Sequence, residues 1–106
     1  MKSHEFIGIA RKILDTDARA RERAADESTD HVAAYTPAQA SALATLLAAT
    51  AASEKEKAAL EAELHAILEL TSTGHVRLDD ISPLREIALD DLPPQLCEYV
   101  SDLLEG

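Results

Sequence analysis

Cysteine, glycine and aromatic residues are all scarce in this chain, and each scarcity removes a class of structure or chemistry. Cys97 is the single cysteine, so no internal disulfide forms and no four-cysteine zinc site is built within one chain. Tryptophan is missing, and Phe6, Tyr35 and Tyr99 are the only aromatics, so the core must be aliphatic. The three glycines, Gly8, Gly74 and Gly106, supply no glycine-rich phosphate loop. Few glycines and no valine-rich alternating runs argue against a β-sheet. No stretch approaches the roughly 20 apolar residues that span a bilayer, and no basic region followed by an apolar run opens the sequence. A chain that is neither secreted nor anchored, in the reducing cytoplasm, is the expectation.

Leucine and alanine dominate the 46% hydrophobic content of the 106 residues. That length suits one domain with one modest core. Charge is placed unevenly. Residues 1–53 carry six Lys/Arg against seven Asp/Glu, whereas residues 54–106 carry four against thirteen, so nearly all of the net −10 lies in the second half. Such a surface repels nucleic acid and anionic membranes and steers basic proteins toward it.

Ser3 is placed to cap a first helix in which Phe6, Ile9, Ile13 and Leu14 form an apolar stripe. Residues 15–35 lose that stripe; with Arg19, Arg21 and Arg23 separated by alanine, they read as a solvated helix extension or a linker. Thr36, Pro37 and Gln39 spell a capping box with proline at the first helical position. Leu43, Leu46 and Leu47 follow as a stripe on an alanine-rich helix ending near Ala52. Ser53 and Glu56 suggest a second capping box, opening a helix with Leu60, Leu64, Ile67 and Leu68 on one side and Gly74 beyond its end. So short a connection makes residues 37–71 an antiparallel helical hairpin. Ser82–Pro83 and Pro93–Pro94 start two shorter helices, the second carrying Leu96, Val100, Leu103 and Leu104. The expected fold is all-α: a compact bundle of about five helices, in which two successive helical hairpins follow an N-terminal helix. Over residues 37–104 these pairs resemble the stacked hairpins of HEAT and armadillo solenoids.

Signals for catalysis and cofactors are weak. His4, His31, His65 and His75 are widely spaced, and none belongs to an HExxH pair. Glu61, His65 and Glu69 share a helix face at four-residue steps, a pattern that suits an exposed face better than a metal site. Cys97 beside Leu96 on an amphipathic helix suits a buried thiol rather than a nucleophile. Asp79, Asp80, Asp90 and Asp91 stand where helices begin, and capping explains them. No enzyme activity, cofactor or metal is expected.

In size, acidity and expected intracellular address the chain is similar to the immunity proteins of bacterial polymorphic toxin systems, and its alanine and arginine content suggests a GC-rich genome. The resemblance implies an inhibitor that covers the basic cleft of a toxin. The contact charges would come from Glu61, Glu63, Glu69, Asp79, Asp80, Asp90, Asp91, Glu98 and Asp102. The competing expectation is a self-associating scaffold or regulatory subunit, a homodimer joined through an apolar edge of Leu96, Val100, Leu103 and Leu104.

Overall fold

A computed structural model describes all residues 1–106. Five α-helices carry the chain: α1 (Ser3–Ile13), α2 (Ala18–Thr29), α3 (Pro37–Ser53), α4 (Lys57–Thr71) and α5 (Pro94–Glu105). Short 3-10 helices at Val32–Ala34, Leu78–Glu86 and Leu89–Asp91 fill the connections, and there is no strand. The expected all-α bundle is therefore the observed architecture. No helix is long and apolar enough to cross a membrane.

Helix starts and stops follow local chemistry, with three departures from expectation. Thr36 accepts from the Gln39 backbone N–H at 3.1 Å while the Gln39 side chain accepts from the Thr36 N–H at 3.0 Å, and Pro37 opens α3. Gly74 takes a φ of +81° just past α4, a conformation that glycine adopts without a Cβ penalty. The first departure is Ser3, which lies inside α1; Lys2 is the residue at the cap and supplies no side-chain bond. The second is Ser53, which ends α3 rather than capping α4. Glu56 stands at the cap of α4 without a side-chain bond, while Glu54 Oε2 accepts from the Lys55 and Glu56 backbone N–H groups of the connection at 3.1 and 3.2 Å. The third is Ser82–Pro83: the segment winds as a 3-10 helix over Leu78–Glu86, with Asp80 accepting from the Arg77 N–H at 2.9 Å to start it. The second pair of the fold is thus this 3-10 segment packed with α5, not two α-helices.

Residues 15–35 are neither an extension of α1 nor a linker. Asp17 caps α2 by accepting from the Ala20 N–H at 3.2 Å, and α2 buries Ala24, Ala25 and Ser28. Small side chains give this helix a flat underside that lies close on α4, a contact invisible to a search for large apolar residues. Arg19 and Arg23 stay exposed.

One contiguous core joins 21 buried residues, centred on the α3–α4 hairpin. α3 buries Ala40, Ala44, Ala48 and Ala51 beside Leu43 and Leu47, so backbones approach closely along it. α1 and α2 cover one side of the hairpin, and the 3-10 segment with α5 covers the other. Phe6 meets Tyr35 edge to face, centroids 6.1 Å apart, and the Tyr35 hydroxyl donates to the Ser28 carbonyl at 2.8 Å, tying α2's end to the start of α3. Leu96, Val100 and Leu103 are buried and Leu104 is partly so, which removes the apolar edge expected on the terminal helix.

Candidate functional site

Leu14 and Leu68 escape the stripes they were expected to join, at 59% and 46% exposed, and Leu78 at the start of the 3-10 segment is 42% exposed. Leu68 and Leu78 line a groove of about 770 Å³ between the end of α4, the 3-10 segment and α5. Val76, Ile81, Tyr99 and Leu103 complete its apolar surface; Arg77, Gln95, Glu98 and Asp102 form its polar rim. Half of an apolar surface exposed beside carboxylates is the pattern of a binding groove rather than an isolated exposed leucine.

Tyr99 links the groove to the acidic face of α4. Its hydroxyl lies 3.3 Å from His65 Nδ1, and His65 Nε2 stands 3.6 Å from Glu69 Oε1. Burial, then the nearby charges of Glu69 and Glu61, raise the Tyr99 phenol above its ordinary value, so at neutral pH it remains a hydrogen-bonding hydroxyl. The structure therefore brings Glu61, Glu69, Glu98 and Asp102 to one side of the molecule. Asp79, Asp90 and Asp91 are exposed but do not line the groove. Asp80 is occupied within the fold, accepting from the Ser41 hydroxyl and the Arg77 N–H, both at 2.9 Å. Glu61, His65 and Glu69 do not make a metal site, and nowhere do three His, Cys, Asp or Glu side chains gather in a way that could hold an ion. The Cys97 thiol is only half-buried rather than enclosed as expected, and it donates to the Leu89 carbonyl at 3.2 Å near the surface.

Glu63 corrects the expected set of contact charges. It is 0% exposed, on the face of α4 that α2 covers. As a carboxylate, neither of its oxygens would meet a donor. Burial, then the neighbouring Glu54 carboxylate, push it up to about 9, so it is held as a neutral acid beside Glu54. Glu54 is the ionised member. Burial alone would raise it, but the hydrogen bonds from Arg21 and the Glu56 backbone, with the Glu63 carboxyl alongside, outweigh that and hold it at about 2. Arg21 binds Glu54 with both arms of its fork, Nε to Oε1 at 2.7 Å and Nη2 to Oε2 at 2.8 Å, and donates from Nη1 to the Asp15 and Thr16 carbonyls. Its own pKa is raised, chiefly by the Glu54 hydrogen bonds. The sequence carried one signal for this cluster: Glu63 is in phase with Leu60, Ile67 and Leu70.

No protein-family model matches the chain, and comparisons with curated proteins and with solved structures yield no match either.

Proposed function

We propose that this chain is a protein-binding module, an acidic inhibitor of the immunity type, which takes a basic segment of its target into the groove between α4 and α5. The observation that carries the reading is an open apolar surface, Leu68, Leu78 and Tyr99, flanked by Glu98 and Asp102 and continuous with Glu61 and Glu69. Apolar anchors supply affinity once water leaves the groove, and the carboxylates supply steering and discrimination against acidic competitors. An amphipathic helix with leucine-like anchors three and four residues apart and Lys/Arg beside them has the matching chemistry. If the target is a nuclease, carboxylates held over its cleft stand where substrate phosphates would lie, and occlusion alone inhibits it. A cytoplasmic setting fits this role and the lone thiol.

The test is capture of native partners on the tagged full chain, on a Glu98→Gln/Asp102→Asn variant, and on an Asp26→Asn/Glu27→Gln variant carrying the same charge change on α2. A basic protein held by the wild type and the α2 variant, lost from the groove variant, and inhibited by the free chain in its own assay supports the reading. An acidic partner, or one held equally by all three baits, overturns it.

A further inference from the structure

The cluster of Arg21, Glu54 and Glu63 takes no part in the groove and joins three separate pieces of chain: α2, the α3–α4 connection and α4. The Arg21 and Glu54 side chains are 19% and 1% exposed, and Glu63 is wholly enclosed. Two carboxyl groups lying together with a single guanidinium stay compact only while they share a proton. Were Glu63 ionised, it would lie beside Glu54 with no donor for either oxygen and no surface exposed to solvent.

We propose that Arg21, Glu54 and Glu63 form a proton-held latch, clamping α2 onto the α3–α4 hairpin while Glu63 is a neutral acid and releasing α2 when that proton is lost. The groups that act on Glu63 are few. From α2 comes Arg21; its other charged residues, Arg19, Arg23, Asp26 and Glu27, are exposed and Glu22 is half-buried. From the connection comes Glu54, with Lys55 and Glu56 exposed. α3 has no charged residue. α5 sends Glu98, Tyr99 and Asp102 to the groove and Cys97 to the Leu89 carbonyl, and Glu105 is exposed. On α4 itself Lys57, Glu61 and His65 are exposed and Glu69 is half-buried beside His65. Nothing else is available to compensate an ionised Glu63. Release of α2 would uncover Ala59, Ala62 and Glu63 of α4 together with Ala24, Ala25 and Ser28 of α2, so the device controls access to a surface that is closed at neutral pH.

The sign follows from linkage. Glu63 has a folded pKa above its ordinary value, so its contribution to closure is fully present below about pH 4.5 and is lost as pH rises toward about 9. The experiment is residue-resolved amide exchange on the full chain from about pH 6 to about pH 9, read as protection factors for α2 against those for α3. In the wild type, α2 protection should fall by about tenfold per pH unit while α3 holds. Glu63→Gln should leave α2 protection flat with pH; Glu63→Leu, which is also uncharged, should do the same and stands in if the glutamine variant does not fold. A flat wild-type profile, the same slope in the uncharged variants, or a parallel loss across all helices would overturn the latch.

Discussion

Glu63 occupies a position of α4 that its neighbours in phase, Leu60, Ile67 and Leu70, mark for burial, and the chain keeps an acid there. Holding it neutral at pH 7, against an ordinary value of 4.5, costs on the order of 3 kcal/mol. Glutamine preserves the shape and a donor toward Glu54 without that cost. Glu63→Gln should therefore stabilise the protein by about 1–3 kcal/mol near pH 8 and have little effect near pH 5, as read by urea denaturation at both values. An equal effect at both would show that Glu63 is not held neutral. Glu54 behaves oppositely. With its folded value lowered to about 2, its contribution is present above about pH 4.5 and is lost as pH falls through about 2. Arg21→Ala leaves that enclosed carboxylate without its main partner and should cost about 2–4 kcal/mol near neutral pH, with the difference from wild type shrinking as Glu54 is protonated in acid.

Helices whose signals are local and strong were legible at the scale of single elements. The Thr36–Pro37–Gln39 box and the Pro93–Pro94 pair fix the starts of α3 and α5 where those residues stand. Thr36→Ala should cost about 1 kcal/mol, measured by thermal or chemical unfolding. α2 was not legible as a packed element because its buried residues are Ala24, Ala25 and Ser28, which leave no hydrophobic stripe. Its attachment depends on Arg21 reaching Glu54, thirty-three residues on, and periodicity carries no information about such a pair. Ser53 looked like a cap, but it ends α3, and the two backbone donors of the turn go to the ionised Glu54 carboxylate. The alanine seam of α3 has its own consequence. Ala44 is fully buried against its neighbours, so Ala44→Leu should destabilise by about 1–3 kcal/mol through overpacking, whereas the same change at the exposed Ala42 should be nearly neutral.

Across the whole molecule, charge and apolar exposure coincide at the α4–α5 side. The charge imbalance was readable from the sequence, but the groove was not: Leu68 belonged by spacing to the buried stripe of α4, and Leu78 lay in a connection with no evident partner. Only the packing of the 3-10 segment between α3 and α5 leaves both uncovered. That packing also turns Leu96, Val100 and Leu103 inward, so a homodimer would have to draw on other exposed apolar residues, Ile7 on α1 and Leu14 at its end or Leu68, Leu78 and Leu89. The most direct measurement is the affinity of a fluorescent amphipathic helix, leucine on one face and Lys/Arg beside it, for the wild type, the Glu98→Gln/Asp102→Asn groove variant and the Asp26→Asn/Glu27→Gln control, at about 50 and about 300 mM salt. The groove reading predicts that the groove variant binds at least about tenfold more weakly at low salt while the control matches wild type, and that raised salt narrows the difference. Equal weakening by both variants would mean that the peptide feels only net charge, and the α4–α5 groove would not be the binding site.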